Sequence, residues 1–214
     1  MLGKVNHAVR MVTRAAALTL GPALALALAL ATPAALARAA DDDDVADIAA
    51  TAVQDEVGGT PGASVKAGFL YKFLGYVDFP AGPLDPGAPY VVGVVGAEDI
   101  AAELIRLSAG RLVNNHAVVV RKMAGVDPSG GLHLLFIGAA EGADEAALVK
   151  AAQPAGVLTV TESATGIEAG SVINFRLVDD RVRFEVSLAA ADKGRLKLSS
   201  RLLSVAYAVQ KGGG

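Results

Sequence analysis

The sequence has no cysteine and no tryptophan among its 214 residues. Without cysteine the chain can form no disulfide and has no thiol chemistry, so its stability must come from a hydrophobic core. About 150 ordered residues can bury roughly two thirds of their unfolded surface, which is enough for one self-sufficient domain. The lack of tryptophan also means that no indole can serve as an anchor for a partner.

Long apolar runs are missing after the first forty residues, and the run within them has the features of an export signal. Basic residues near the start precede an apolar run from Ala15 to Thr32, and Ala37-Arg38-Ala39 supplies an A-x-A cleavage pattern. This order predicts a secretory signal peptide over residues 1–39 and a periplasmic location for the remainder. An uncleaved membrane anchor is disfavoured, because Pro22 interrupts a run shorter than the ~20 apolar residues of a spanning helix.

The chain is also poor in basic residues. Residues 1–39 hold four of the 19 basic residues and none of the 22 acidic ones, so cleavage would leave 15 basic residues and a net charge of −7. Nucleic-acid binding relies on clustered Lys and Arg, so this acidic chain is a poor candidate for it. The acidic run Asp41–Asp44 is interpreted as a solvated tail, with weak binding of a divalent cation as the alternative.

Residues 40–63 are predicted to form an acidic and glycine-rich linker. The acids are followed there by the breaker cluster from Gly58 to Gly62, although Ala46–Val57 could form a short helix. The folded domain is therefore predicted over residues 64–210.

Within that domain, segments of helical period alternate with apolar runs of strand length. Apolar residues from Val65 to Val77 recur at four-residue spacing and predict a helix that Ser64 caps and Pro80 ends. The other predicted elements are helices at Glu98–Ala109 and Glu141–Ala152, and strands at Tyr90–Val95, within Arg111–Lys122, at Leu132–Ile137 and at Gly156–Val160. This alternation predicts an α/β fold, a three-layer α/β/α sandwich with a mostly parallel mixed sheet.

The C-terminal part has a different period. From Val172 to Leu188, apolar and polar residues alternate on both sides of Asp179-Asp180, which predicts a β-hairpin with one buried face. Apolar residues from Leu196 to Ala206 then have the spacing of an amphipathic helix. A C-terminal β-hairpin plus helix therefore completes the predicted fold.

Two candidate ligand sites have a favoured structural interpretation. The turn Val94–Asp99 joins a strand to a helix, but it is not G-x-G-x-x-G, and Glu98 and Asp99 would repel a phosphate while suiting the helix dipole. His116 and His133 lack the paired spacing of a metal site. Because His133 lies in an apolar run, it is interpreted as a packed core residue.

Ser199 and Ser200 are the remaining candidate nucleophiles. No G-x-S-x-G motif surrounds them, and no histidine is paired with them by spacing. We therefore predict no catalytic residue, no cofactor and no metal ion, and interpret the protein as non-enzymatic.

The hairpin offers a candidate contact surface. Arg181, Arg183 and Glu185 occupy alternate positions on the side opposite Phe184. Such a strand face is either solvated, with a weak surface ion pair, or a polar strip that contacts a partner. The residues alone leave both interpretations open.

Three segments together resemble one known family. They are VKAGFLYKFLGYVDFP (Val65 to Pro80), VVGVVGAEDIAAEL, and GSVINFRLVDDRVRFEVSLAAADKGRLKLSSRLLSVA (Gly170 to Ala206). In this order they resemble the YfiR family over nearly the whole predicted domain. The chain departs from the family pattern at Phe79-Pro80, where the family usually has Trp-Pro, and at Ser187, where it usually has Asn. The disulfide-forming cysteines of the name-giving members are also missing.

The resemblance implies a periplasmic α/β domain that is often dimeric. Name-giving members of the family repress a membrane-bound diguanylate cyclase by binding its periplasmic sensor domain, and their release raises cyclic di-GMP and promotes biofilm. By this resemblance we expect an exported signalling regulator. Its expected partners are the periplasmic domain of an inner-membrane sensor and a second copy of the chain, with contacts through Phe79, Pro80, Arg183 and Glu185.

Two alternatives remain open at this point. A periplasmic small-solute-binding protein would have its pocket at the carboxyl ends of the strands, and its melting temperature would rise with the ligand. A hydrolase would need a histidine close to a serine or a carboxylate in the fold.

Overall fold

The structure is a computed structural model that describes residues 61–125, 131–139 and 144–211. The predicted signal peptide over residues 1–39 lies outside the described residues, as do nearly all of the predicted linker and the helix predicted at Ala46–Val57. Within the described ranges, no helix is both long enough and apolar enough to span a bilayer.

The described domain contains five helices and nine strands. The helices are α1 (Pro61–Phe73), α2 (Glu98–Ser108), α3 (Glu145–Ala152), α4 (Leu188–Lys193) and α5 (Ser200–Val205), with a 3-10 turn at Gln153–Ala155. The strands are β1 (Val77–Asp78), β2 (Tyr90–Val95), β3 (Val118–Met123), β4 (Leu134–Ile137), β5 (Leu158–Thr161), β6 (Ile173–Val178), β7 (Arg181–Ser187), β8 (Lys197–Leu198) and β9 (Ala208–Gln210). Strands β1 and β8 form a separate antiparallel pair.

The other seven strands form one sheet in the order β3-β2-β4-β5-β6-β7-β9. The first five are parallel to one another, β7 is antiparallel to β6, and β9 is parallel to β7. Every residue of β2, β4 and β5 is buried, because α1 and α2 pack on one face of these strands and α3 packs on the other. The predicted α/β fold with a mostly parallel mixed sheet is confirmed.

Phenylalanine side chains join the hairpin to the larger core. Phe69 and Phe73 of α1 pack against Phe175 of β6 and Phe184 of β7, with ring centroids between 5.1 and 6.1 Å apart. Each fully buried side chain of this size stabilises the fold by about 1.5–3 kcal/mol relative to exposure. The hairpin is therefore fixed to the domain mainly through this apolar face.

The two-residue turn of the hairpin lies at Asp179-Asp180, as predicted. Asp179 and Asp180 both have positive φ angles, 48° and 57°. Two consecutive left-handed residues make the type I′ turn that suits the twist of a tight hairpin, and aspartate tolerates this conformation better than most residues.

The first helix differs from the prediction at both ends. It begins at Pro61, so Ser64 lies inside it and does not cap it, and it ends at Phe73 rather than at Pro80. Proline fits the first turn of a helix because its missing N–H would have no partner there. At the other end, Val77 leaves the helix because it pairs with Leu198 in the β1–β8 ladder.

The single closing helix predicted from Leu196 to Ala206 is wrong. The segment instead forms β8, the short helix α5 and the edge strand β9. The left-handed backbone of Arg195, with φ of 55°, separates β8 from α4, and the Ser199 hydroxyl caps α5 by accepting the N–H of Leu202. Pairing with β1 and β7 therefore overrides the local helical spacing.

Candidate functional site

The face of the hairpin that turns away from the phenylalanines is polar. Cross-strand register sets Asn174 opposite Glu185 and Arg176 opposite Arg183, and Arg181 lies two residues before Arg183 on the same face of β7. We call these five residues the polar hairpin face. The three arginines are exposed, whereas Asn174 is fully buried.

Glu185 is not solvated in the way the sequence suggested. Its side chain is only 15% exposed, and its Oε1 accepts a hydrogen bond of 3.0 Å from Asn174 Nδ2. The Arg176 guanidinium lies 3.8 Å from the same oxygen. The ion pair therefore runs diagonally across the two strands, and not along β7 to Arg181 or Arg183.

Asn174 is the centre of a buried polar network beneath the loop that follows β5. Its Oδ1 accepts a 2.8 Å hydrogen bond from the Thr161 hydroxyl, and its Nδ2 also donates to the Ser163 carbonyl at 3.0 Å. At Gly166 an added Cβ would lie 2.1 Å from Thr161 Oγ1, so the loop backbone lies directly against this network. Periodicity alone does not predict this network, although an asparagine among apolar residues of a strand is an available signal in the sequence.

Arg181 and Arg183 differ from Arg176 in having no partner among the described residues. Neither side chain forms a hydrogen bond or an ion pair with any of the described residues. Guanidinium groups bind carboxylates in a fixed bidentate geometry, which is the chemistry that two exposed arginines on one strand face have available.

The other predicted contact residues lie elsewhere. Phe79 is half-buried, with its ring centroid 6.0 Å from that of Tyr90 and 5.4 Å from that of His133. Pro80 is exposed, but an added Cβ at Gly156 would lie 2.2 Å from its Cγ. Phe79 and Pro80 thus lie where β2, β4 and β5 begin, while the buried network of the polar hairpin face lies where β5 ends.

The two histidines of the domain belong to the same end of the sheet as Phe79. His133 precedes β4 and is half-buried rather than part of the core, and burial together with the nearby His116 lowers its pKa. His116 interacts with the carbonyl of Ala88, and His133 with the N–H of Val91. No group of three or more potential metal ligands occurs in the part of the chain that the structure describes.

The candidate serines and the strand-to-helix turn have structural roles. Ser199 caps α5, and Ser200 is its first residue. In the turn, Glu98 pairs with Lys122 and the Asp99 carboxylate accepts the N–H of Ile100 at 2.9 Å. These contacts agree with the structural interpretation of both segments.

The carboxyl ends of β4 and β5 are occupied by the protein's own polar side chains. Glu162 pairs with Lys66 of α1 and accepts the N–H of Ala139 at 3.1 Å, and the Ser163 hydroxyl donates to Glu145 at 2.8 Å. The described chain does have two open cavities, a groove of about 590 Å³ between α2 and β3 and a hollow of about 320 Å³ near α4. Neither of these two cavities is lined by residues at the carboxyl ends of β4 and β5.

Comparison with known proteins gives one family and a likeness to solved structures. A family model described as YfiR/HmsC-like matches residues 63–207. A conserved domain protein from Vibrio cholerae O1 biovar El Tor is 12% identical, with a TM-score of 0.46 over 69% of this chain and 60% of its own. The match therefore spans less than two thirds of that protein. No curated protein matches the chain.

Proposed function

The chain belongs to the YfiR/HmsC-like family, and from this premise we propose that it is an exported regulator that docks on the periplasmic domain of an inner-membrane sensor. The family is not a known class of enzymes, which supports a binding role. The sensor is proposed to be a membrane-bound diguanylate cyclase that the docked protein represses.

The observation that carries this proposal is the pair of unpartnered guanidinium groups on the polar hairpin face. Arg181 and Arg183 stand on a strand whose backbone is fixed by the buried phenylalanines on one side and by the Asn174 network on the other. A rigid surface loses little conformational entropy on binding, so charge complementarity contributes more fully to affinity. The proposed contact on the sensor is therefore a cluster of carboxylates.

Repression follows from a difference in affinity between two states of the sensor. The protein would bind the quiet state more tightly than the active state, and each tenfold difference shifts the equilibrium by about 1.4 kcal/mol. Release of the protein, for whatever cause, then returns the sensor to its active state.

Deletion of the gene tests the proposal in the native host. Cyclic di-GMP and biofilm should rise on deletion and fall again when the wild-type gene is restored. The variant Arg181→Glu/Arg183→Glu should fail to restore repression, whereas Lys150→Glu, which reverses an exposed charge on α3, should succeed. An unchanged cyclic di-GMP level on deletion would contradict the cyclase as the partner.

A further inference from the structure

An aromatic and histidine cluster lies where β2 and β4 begin. The Tyr90 ring centroid is 5.3 Å from that of His133 and 5.8 Å from that of His116. Phe79 packs edge-on against His133, with an angle of 89° between the ring planes. These are the only two histidines of the sequence after residue 39.

The two imidazoles have opposite hydrogen-bonding roles. His116 Nδ1 lies 2.7 Å from the carbonyl oxygen of Ala88, so this nitrogen must carry a proton and donate it. His133 Nδ1 accepts the N–H of Val91 at 3.1 Å, so this nitrogen must be unprotonated. Protonation therefore leaves the His116 bond intact, but it turns the His133 acceptor into a second donor facing the Val91 N–H.

The surroundings of His133 also oppose a positive charge. Burial is the main cause that lowers its pKa, and a charge on His116 acts in the same direction. The titratable groups that face it are Tyr90 from β2 and His116 from the turn before β3. Asp78 of β1 is exposed, and the neighbouring residues of β4 and β5 are apolar or threonine.

We propose that His133 is a proton-sensitive support for the Phe79–Pro80 segment. The neutral ring links the beginning of β2 to the beginning of β4 and provides the surface on which Phe79 packs. A proton on Nδ1 breaks the bond to Val91 and displaces the imidazole. Since Phe79 and His133 are in ring contact, the segment after β1 then changes position.

The sign of the pH effect follows from the lowered pKa of His133. As the pH falls below the ordinary histidine pKa of about 6.5, His133 becomes protonated in the unfolded protein before it does in the folded protein. The stability that neutral His133 contributes is fully present above this pH, and it is lost as the pH falls toward the folded-state value. Acid should therefore weaken the domain in the region of Phe79, Tyr90 and Val91.

NMR titration of the purified protein tests the switch without any partner. His133 is expected to remain protonated only at Nε2 until below the ordinary histidine range. The Val91 amide and the Phe79 ring resonances should then move with the same midpoint as His133. The proposal would be overturned if His133 titrated in the ordinary histidine range, or if the Val91 and Phe79 resonances did not shift as His133 titrates.

Two substitutions sharpen the test. His133→Asn places an Oδ1 near the position of Nδ1, so it can accept the Val91 N–H without titrating. The pH dependence of unfolding should become flatter in this variant. The matched change His116→Asn removes the other imidazole and should preserve most of the dependence on pH. Equal flattening by both variants would contradict a specific role of His133.

The regulatory consequence, that acid alters docking, rests on the proposed function. Sensor binding by the wild type should weaken severalfold as the pH falls through the His133 midpoint found by NMR, whereas binding by His133→Asn should change little over the same range. An equal change in both proteins would exclude this regulation. If no sensor domain binds at any pH, the proposed function fails, and the NMR titration still decides whether the switch exists.

Discussion

The two faces of the β6–β7 hairpin are held by different interactions. On one face, Phe175 and Phe184 are buried against α1 through ring contacts that need no particular donor or acceptor. On the other face, Asn174 and Glu185 are held by directed hydrogen bonds beneath a loop. The apolar face fixes the hairpin in the domain, and the polar face carries the charged side chains that we propose contact a partner.

Removing a ring from the apolar face should have the largest effect. Phe184→Ala deletes a side chain that is 2% exposed, and the cavity should lower the free energy of unfolding by about 3–5 kcal/mol. Leu177→Ala is the control, because Leu177 is 72% exposed on the same face of the hairpin and should change stability by less than about 0.5 kcal/mol. Similar losses in the two variants, measured by urea unfolding, would contradict the assigned role of this face.

Disturbing the polar network should have an intermediate effect. Asn174→Ala removes the 2.8 Å acceptor of the Thr161 hydroxyl, which keeps only a 3.5 Å contact with the Ile173 carbonyl, and it removes the amide donor to Glu185. This loss should cost about 1–3 kcal/mol of stability. Calorimetric unfolding measures the loss. A change below about 0.5 kcal/mol would mean that water replaces the amide freely and that the polar face is not a rigid structure.

The loop over the network can be displaced by a substitution in the loop that leaves the network residues unchanged. Gly166→Ala puts a Cβ into contact with Thr161 and Asn174, so the loop must move, at a cost of about 1–3 kcal/mol. Hydrogen exchange of residues 163–171 should rise in this variant. Gly125→Ala is the matched control, because the space around Gly125 is open. Unchanged exchange in Gly166→Ala would show that the loop does not depend on this close contact.

Reversing the unpartnered charges should have the smallest effect on stability. Arg181→Glu/Arg183→Glu changes only exposed side chains that have no partner among the described residues, so the free energy of unfolding should change by less than about 0.5 kcal/mol. A larger loss in thermal unfolding would mean that the pair stabilises the fold, and its effect on docking could not then be separated from stability.

The features that were predicted correctly depend on the spacing of apolar and polar residues within a single helix or strand. The apolar run at Tyr90–Val95, the alternation around Asp179-Asp180 and the arginines on one face of β7 all follow from spacing within a single element. The α/β fold could be predicted because these elements alternate along the chain. The strand order within the sheet could not.

The features that the sequence did not predict depend on distant pairing. Val77 and Leu198 form a strand pair that the spacing of apolar residues in neither segment predicts. This pairing shortens α1 and divides the expected closing helix. The burial of Glu185 depends in the same way on Asn174 and on the loop after β5. Periodicity placed Glu185 on the correct face, but it could not show that the carboxylate is already engaged within the protein.

The most direct test of the proposed docking is a calorimetric binding measurement with the purified periplasmic domain of the proposed partner, a membrane-bound diguanylate cyclase. Wild-type protein should bind more weakly as salt is raised, and Arg181→Glu/Arg183→Glu should lose at least about tenfold in affinity, or about 1.4 kcal/mol. The control Lys150→Glu/Lys193→Glu, which reverses two exposed charges elsewhere, should bind like the wild type. Wild-type affinity in the arginine variant, or an equal loss in the lysine control, would contradict docking through the polar hairpin face.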